Sequence, residues 1–518
     1  MAGGDGSPVR IGRTESICPE CLKVIPAEKT VHADGIYLEK SCLEHGDFKV
    51  LIWEGSRESY EAWGKDRKPS DQVPGTRPKE KGCPYDCGLC IRHERRGCCV
   101  LLEVTSRCNL GCPVCFAEAG GLDSRDVPVE ELGRQMDYLM SHGGPFNLQI
   151  SGGEPTMRDD LPKIIRMGKE KGFSFFQLNT NGLRLAEEPG YAEELKEAGL
   201  SCVFLQFDGL TDQVYKVLRG RALWEKKQAA VDACERAGLG VILVPVVTPG
   251  VNEDQVGAIL SYGVSRMPVV RGVHFQPISY FGRCLDAQGS YRITIPKLLE
   301  LIEEQTNGQM HRADFTGGNA TNPYCTFQAN YFRQEDGSLQ PMIHGTARAY
   351  AASEQAREFV ARQWAGPEPK ETAGMCCCGE KTEESGACCC GEKTEESGAC
   401  GCGMETEEAA GGCCCGEKTE ETAGECCCGA GPETSDEGCC CCGEDTAQMQ
   451  LDTASLDEFL RNLHNNTFAV SGMLFQDACS LDLERLRRCY ILETDSRYGM
   501  VPFCAYNMTS LKGKTLYR

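Results

Sequence analysis

The 518-residue chain lacks any run of about 18 consecutive apolar residues, the length that a membrane-spanning helix needs. Its first fourteen residues, MAGGDGSPVRIGRT, lack the apolar stretch of a secretory signal. Clusters of lysine and arginine are also missing, and a net charge of -22 repels nucleic-acid phosphates. These absences predict a cytoplasmic protein that neither spans a membrane nor binds nucleic acid.

Cysteine, in contrast, is abundant, with 36 residues. In a reducing compartment so many thiols predict metal or iron–sulfur sites rather than a disulfide framework. Half of them lie between Glu371 and Asp445, a segment with 18 cysteines, 19 acidic residues and 3 lysines that repeats the unit CCCGEKTEESGA. Because this segment has no Leu, Ile, Val, Phe, Trp or Tyr, it cannot bury a core, and we predict a disordered insertion over 367–446. It is either a store for soft metal ions or a repeat expansion without catalytic duty.

Between residues 100 and 300, short apolar runs alternate with amphipathic stretches. The runs are CVLLEVT, FNLQIS, FSFFQLNTNG, CVFLQFDG, VILVPVV and VVRGVHFQPI. Six such units predict an α/β fold, a partial (β/α)6 barrel of the TIM type with its functional side chains after the carboxyl ends of the strands. Around this core we predict a small metal module at 1–70, an auxiliary cluster segment at 71–99 and a C-terminal α+β region formed by 301–366 and 447–518.

Two motifs follow the first two strands of the predicted barrel. Cys108, Cys112 and Cys115 form a C-x3-C-x2-C loop, whose thiolates can hold three irons of a 4Fe–4S cube and leave the fourth iron open to a ligand. Zinc fits less well, because structural zinc sites are closed by four protein ligands. After the next strand, Gly152 and Gly153 allow a ligand to approach the backbone, and the Glu154 carboxylate can accept a hydrogen bond from an amine.

Polar residues at later strand ends are candidates for binding a cofactor or substrate, with ordinary capping of strand ends as the alternative. These are Asn179, Asn181, Gln206 and Asp208, with Arg219 or Arg221 nearby.

A second C-x3-C-x2-C loop, Cys83, Cys87 and Cys90, lies upstream of the barrel. Three close thiolates predict an auxiliary 4Fe–4S cluster, for which we expect Cys98 to be the fourth ligand. We expect His93 to lie behind the ligands or on the surface.

The N-terminal region contains the C-x2-C pair Cys18 and Cys21, followed by Cys42 and His45. Such half-sites are typical of a mononuclear tetrahedral metal, zinc or rubredoxin-like iron. The spacing leaves the fourth ligand open between His45 and a cysteine from elsewhere. The site serves either electron transfer or the stability of a module with too little core.

Together, CPECLKVIPA, CPYDCGLC, EVTSRCNLGCPVCFAEAG, SGGEPT, FLQFDG and the C-terminal VPFCAYN resemble the radical S-adenosylmethionine (SAM) superfamily, and within it the tetraether lipid synthase family, earlier assigned as pterin C-methylases. The resemblance implies that Cys108, Cys112 and Cys115 hold a catalytic 4Fe–4S cluster whose open iron binds SAM beside Gly152, Gly153 and Glu154. It also implies that the dispersed Cys325, Cys489 and Cys504 hold a second auxiliary cluster, although Asn322 stands where the family has a histidine.

The activity implied is the joining of terminal methyl carbons of isoprenoid lipid chains by hydrogen abstraction and C–C coupling. Ferredoxin or flavodoxin would supply electrons, and a lipid substrate would add peripheral membrane contact. Two alternatives remain: C-methylation of a pterin or other small molecule, and an iron–sulfur electron carrier or metal store that does not use SAM.

Overall fold

The computed structural model describes residues 9–64, 78–88, 90–95, 97–285, 292–318, 322–342, 353–367 and 453–518. The cysteine-rich insertion, for which we predict disorder, lies outside the described residues.

An antiparallel sheet forms the N-terminal module. Its four strands pair in chain order and are followed by a short helix: β1 (Val9–Ile17), β2 (Val24–Val31), β3 (Gly35–Cys42), β4 (Gly46–Glu54) and α1 (Arg57–Trp63). Ala27, Leu38 and Val50 form a small separate cluster of buried side chains on this sheet. So small a core leaves part of the module's stability to a bound metal or to packing against the rest of the chain.

A second, larger sheet carries the barrel. Its strands are β5 (Cys99–Thr105), β6 (Asn147–Gly152), β7 (Phe176–Thr180), β8 (Cys202–Gln206), β9 (Gly240–Val244), β10 (Val246–Val247), β11 (Val270–Pro277), β12 (Thr326–Arg333), β13 (Leu339–Pro341), β14 (Thr467–Met473), β15 (Ile491–Asp495) and β16 (Gly499–Pro502). In the described part of the chain, β5 to β9 and β11 run parallel in chain order, as in a (β/α)6 barrel. The predicted α/β partial barrel is confirmed.

Helices connect these strands. They are α2 (Val129–Ser141), α3 (Leu161–Glu170), α4 (Leu183–Glu187), α5 (Tyr191–Ala198), α6 (Asp212–Arg219), α7 (Trp224–Arg236), α8 (Val256–Ser265), α9 (Ile295–Gln305), α10 (Ser353–Trp364), α11 (Thr453–Asn465), α12 (Leu483–Arg487) and α13 (Phe503–Tyr506). In α3, Leu161, Ile164, Ile165 and Gly168 are buried at helical spacing, so this face covers the sheet. Strand β9, GVILV, is buried throughout, as expected of a parallel strand covered on both faces.

The C-terminal region extends the same sheet at both edges. Strand β14 pairs in parallel with β11, and β15 pairs in parallel with β5. Strands β12 and β13 continue beyond β14, and β16 pairs with β15. The boundary that we place near residue 300 is therefore not a boundary of the sheet.

Helix α10 packs at the amino ends of the barrel strands. A Cβ on Gly240, the first residue of β9, would lie 2.6 Å from the carbonyl oxygen of Trp364. The Trp364 ring lies 4.8 Å from that of Phe204, measured between centroids. The predicted cysteine loop lies at the other, carboxyl end of the strands, so the barrel interior lies between this loop and α10.

None of the helices in the described ranges combines the length and the apolar content needed to cross a bilayer.

Candidate active site

A cavity of about 590 Å³ occupies the barrel interior. Cys108, Cys112 and Cys115 lie on its wall together with Gly152, Gly153, Glu154, Asn179, Asn181 and Gln206. Most of the residues that we predict for the cluster and for SAM therefore line the same cavity. The cavity continues to Trp364 on α10, so it has room for a substrate beyond these residues.

The cysteine loop is fixed by two arginines. Arg107 makes a two-pronged contact with Asp126, donating from Nε at 2.9 Å and from Nη2 at 2.8 Å. Arg283 donates from Nε to the Cys112 carbonyl at 3.1 Å and exchanges backbone hydrogen bonds with Cys115 at 2.9 and 3.0 Å. Burial raises the pKa of Cys108 to about 12, so this thiol is protonated at neutral pH unless a metal displaces the proton.

The glycines of the GGEP turn are required by close backbone packing. Gly152 has φ +129, and a Cβ there would lie 2.2 Å from the carbonyl oxygen of Thr105. A Cβ on Gly153 would lie 2.2 Å from the carbonyl oxygen of Arg107. Any larger residue would push the turn away from the cysteine loop, so the two motifs are held together at the carboxyl ends of adjacent strands.

The Glu154 carboxylate is buried and accepts four hydrogen bonds from its own chain. Oε1 accepts from the Thr156 amide at 3.1 Å and from the hydroxyls of Thr156 and Thr180 at 2.7 Å each, and Oε2 accepts from the Asn181 amide at 2.7 Å. The carboxylate therefore ties the turn to the end of β7. The backbone of the turn is left as the natural partner for a ligand amine.

A buried lysine supports the polar wall beneath the loop. Lys227 on α7 donates to the carbonyl of Asn181 at 2.6 Å and to Gln206 Oε1 at 2.8 Å. Burial lowers the pKa of Lys227 to about 7. Asn181 also donates to Asn109 in the cysteine loop at 2.7 Å, so Asn181 links Lys227 to this loop.

Asp208 does not take the place that we predict for it. It is fully buried and forms a two-pronged ion pair with Arg219, at 2.6 Å to Nε and 2.8 Å to Nη2, and it also accepts from the Val246 amide at 3.0 Å. Arg219, in contrast, lines the cavity and donates to the Val114 carbonyl at 3.1 Å, whereas Arg221 is exposed. Asp208 thus holds Arg219, and Arg219 faces the site.

The auxiliary loop lies beside a separate small cavity. Cys83, Cys87 and Cys90 line it together with His93, whereas Cys98 lines the central cavity. This geometry disfavours Cys98 as the fourth ligand of the auxiliary cluster, and it excludes a surface position for His93. The histidine is 8 % exposed, and its burial lowers its pKa to about 4, so the ring is neutral at pH 7.

The dispersed cysteines Cys325, Cys489 and Cys504 come together. The Leu474 amide donates to the Cys325 carbonyl at 2.7 Å and the Gln476 amide donates to Cys504 Sγ at 3.3 Å, so one short segment joins these two cysteines. The thiols of Cys325 and Cys489 both raise the pKa of Cys504 beyond the effect of its burial. Arg485 donates to Cys325 Sγ at 3.0 Å and to the Tyr324 carbonyl at 2.8 Å. The grouping implied by the family resemblance is thus present in space, with an arginine directed at one thiol.

The N-terminal half-sites converge on one point. The donor atoms of Cys18, Cys21, Cys42 and His45 lie within 4.8 Å of one another, close enough for a single metal ion. His45 Nδ1 lies 3.4 Å from Cys42 Sγ, and this hydrogen bond lowers the pKa of Cys42 to about 6. His45, one of the alternatives left open by the spacing, completes the set.

Two family models match the chain. The Radical SAM superfamily model matches residues 102–262, which include the cysteine loop and the GGEP turn. The chain contains a radical SAM domain. The HMPTM N-terminal zinc ribbon domain model matches residues 10–54, which carry the Cys18 to His45 site.

Curated relatives share this core. The chain is 42 % identical over 310 residues to 7,8-dihydro-6-hydroxymethylpterin dimethyltransferase of Methanocaldococcus jannaschii, covering 58 % of this chain and 60 % of that protein. It is 30 % identical over 211 residues to GTP 3',8-cyclase of Paenarthrobacter nicotinovorans, covering 40 % and 58 %. Among solved structures, Streptococcus suis SuiB bound to S-adenosylmethionine has a TM-score of 0.35 at 16 % identity, covering 41 % of this chain and 48 % of that one.

A radical SAM domain uses a 4Fe–4S cluster and SAM, and the site residues fit both. Three thiols on one loop suit a cluster with one open iron, and the close-packed glycines beside them leave backbone for the cofactor's polar groups. The zinc ribbon adds a mononuclear metal site with sulfur and nitrogen donors.

Several residues of these sites were not found from sequence. Arg283, Lys227 and Arg485 act through contacts between distant segments, which no local pattern reveals. For His93 the sequence does contain an indication. The residue follows the pair Cys87 and Cys90 after two residues, a spacing at which a histidine can lie beside the same cysteines.

Proposed function

We propose that this chain is a radical SAM enzyme that forms a carbon–carbon bond by C-methylation of a reduced pterin or a similar heterocycle. The observation that carries the proposal is the 42 % identity to a pterin dimethyltransferase over 58 % of the chain. The chain spans only 60 % of that relative, so the activity is inferred from the shared core.

The wall of the cavity away from the cysteine loop supports a hydrogen-bonding substrate. Its polar residues are His274, Gln276, Gln328, Asn330 and Ser471. Amide and imidazole groups can pair with the donors and acceptors of a pterin ring, whereas a hydrocarbon offers them no partner. His274 is held by Ser471, whose Oγ lies 2.9 Å from Nδ1.

The bound cluster and SAM would supply a 5'-deoxyadenosyl radical, which abstracts hydrogen from carbon centres that acid–base groups cannot activate. The residues of the chain hold and enclose the reacting groups. Cys108, Cys112 and Cys115 would anchor the cluster, and the turn at Gly152 and Gly153 would orient the methionyl part of SAM. The barrel wall and α10 form the far side of the same cavity.

A second candidate, coupling of isoprenoid lipid chains, is favoured by the apolar part of the same cavity. Phe116, Phe327, Met473, Phe475 and Phe503 line it. A saturated chain needs such a wall and no polar handle. If the substrate is a lipid, peripheral contact with a membrane follows, and flotation of the protein with liposomes at low salt tests this contact.

The test is an anaerobic assay with reconstituted protein, SAM, a strong reductant and either a reduced pterin or an archaeol phospholipid. Methylation adds the mass of CH2 to the pterin, whereas coupling removes two hydrogens from the lipid for each new bond. Release of 5'-deoxyadenosine with an unchanged pterin would refute the first candidate. Cys112→Ala is the control, since it must abolish cleavage of SAM if the loop is catalytic.

The same assay decides the third alternative, an electron carrier or metal store. Such a protein would not cleave SAM when reduced. Ferredoxin and flavodoxin are the proposed electron donors, and replacing the chemical reductant by either one tests them.

A further inference from the structure

The small cavity beside the auxiliary cysteine loop contains two buried polar atoms without partners. His93 Nε2 is buried and has no hydrogen-bond partner, and neither has Arg487 Nε. Both residues line the cavity together with Cys83, Cys87 and Cys90. A buried nitrogen without a partner is costly in a folded protein, so two of them around one cavity indicate a ligand there.

The backbone fixes His93 in this position. Its amide donates to the Cys90 carbonyl at 2.9 Å, which turns the chain back over the cysteine loop. The next amide, of Glu94, donates to the Arg487 carbonyl at 2.8 Å, which ties the turn to α12. On the cysteine side, Tyr517 Oη accepts from the Cys87 amide at 2.9 Å and donates to the Pro84 carbonyl at 2.7 Å. The donor groups are therefore held by rigid supports from three segments.

The imidazole has the arrangement of a metal ligand. The backbone of Cys489 lies beside the ring and raises its pKa against the effect of burial, while Nε2 has no hydrogen-bond partner. A histidine that donates one ring N–H to a carbonyl keeps the lone pair of its other nitrogen for a metal, and metal-bound histidines usually have such a support.

The spacing of the donors favours a cluster over a single ion. In the described part of the chain, only Cys18, Cys21, Cys42 and His45 bring their donor atoms within 4.8 Å of one another. No three of the donor atoms of Cys83, Cys87, Cys90 and His93 lie within that distance of one another, as they would around a single ion. Arg487 also lines the cavity and pairs with Glu15 at 2.7 Å through Nη2; its Nε has no partner, and a cluster sulfide would be an acceptor for it.

We propose that His93 Nε2 is the fourth protein ligand of a 4Fe–4S cluster held by Cys83, Cys87 and Cys90. The assignment does not depend on the substrate of the central cavity. It replaces Cys98, which faces that cavity instead. A neutral imidazole in place of a thiolate makes the cluster less negative, so its reduction potential is higher than that of an all-cysteine cluster.

Pulsed electron paramagnetic resonance on the reduced full-length chain tests this proposal. Cys108, Cys112 and Cys115 are changed to alanine in every sample to remove the signal of the barrel cluster. We expect a strongly coupled nitrogen that changes from the ¹⁴N to the ¹⁵N pattern when the protein is made with ¹⁵N-histidine. The coupling must disappear in His93→Ala and persist in the matched control Cys98→Ala.

His93→Cys is the second variant, used also if the alanine variant does not fold. It should retain the cluster with four thiolates, lose the nitrogen coupling and lower the reduction potential. The proposal is overturned if the labelled parent protein has an intact auxiliary cluster without nitrogen coupling. It is equally overturned if the coupling persists in a His93 variant, or if Cys98→Ala removes the cluster signal.

Discussion

The buried ion pair between Asp208 and Arg219 allows a quantitative test of how the cavity wall is built. Asp208 is 0 % and Arg219 8 % exposed, and two hydrogen bonds of 2.6 and 2.8 Å join them. Removing one partner of such a pair leaves the other charge buried and costs about 3–5 kcal/mol. We therefore expect Asp208→Asn and Arg219→Gln each to lower the free energy of unfolding by that amount.

The double variant should cost less than the sum of the two single variants, because it leaves no buried charge behind. A coupling energy of about 2–3 kcal/mol is expected for residues in direct contact of this kind. The two single variants should also differ in cluster binding. Arg219 supports the Val114 carbonyl and lowers the pKa of Cys112 against the effect of burial, so Arg219→Gln should bind less iron at the cysteine loop than Asp208→Asn.

The free energies come from urea unfolding of the metal-free protein under anaerobic conditions, followed by circular dichroism. The exposed pair Arg57 and Glu61, one turn apart on α1, is the control, and Arg57→Gln should cost no more than about 0.5 kcal/mol. Additive effects of Asp208→Asn and Arg219→Gln would refute the reasoning about the ion pair. Equal iron binding by the two variants would refute the link to the cysteine loop.

Three further predictions concern other parts of the molecule. Gly153→Ala should lower the free energy of unfolding by more than about 2 kcal/mol, since its Cβ would meet a backbone oxygen at 2.2 Å, whereas Gly111→Ala, with nothing within 4 Å, should have little effect in the same urea experiment. Burial lowers the pKa of His274 to about 4. As the pH falls, His274 is therefore protonated in the unfolded chain before it is protonated in the folded chain, and stability is lost between about pH 6.5 and pH 4. His274→Gln should remove about 2 kcal/mol of that loss between pH 7 and pH 4.5, measured by urea unfolding at both pH values. Cys42→Ser should remove the metal of the N-terminal module, measured by elemental analysis of protein that retains its other cysteines; retention of one metal per module would contradict the assignment of this ligand.

The barrel strands were predictable because parallel strands buried on both faces are continuous apolar runs. Strand β5 begins at Cys99 and ends at Thr105, as its sequence pattern predicts. The position of the cysteine loop followed, since functional residues in such sheets come after the carboxyl ends of strands. Local sequence carries this information, and the partial barrel could therefore be predicted from it.

Long-range pairing was not predictable in the same way. The pattern gives no sign that β14 and β15 join opposite edges of the sheet, because β5, the parallel partner of β15, lies almost 400 residues away in sequence. The role of helix α6 was not predictable either. Its charged residues include Arg219, whose buried partner Asp208 is visible only in three dimensions. A carboxylate after a strand predicts a residue that binds a ligand. Only the three-dimensional position of Arg219 shows that Asp208 binds an arginine instead.

The N-terminal module has a structural consequence for the auxiliary cysteines. Lys40 donates to the Ala478 carbonyl at 2.8 Å, Ser16 donates to the Leu481 carbonyl at 2.6 Å, and Lys29 pairs with Asp482 at 2.7 Å. Residues 478–482 lead directly into α12, which carries the arginines beside both auxiliary cysteine groups. Because β1 to β4 have little core of their own, a metal at the Cys18 to His45 site would stabilise this contact as well as the module. The ribbon metal would thereby hold in place the segment on which both auxiliary sites depend.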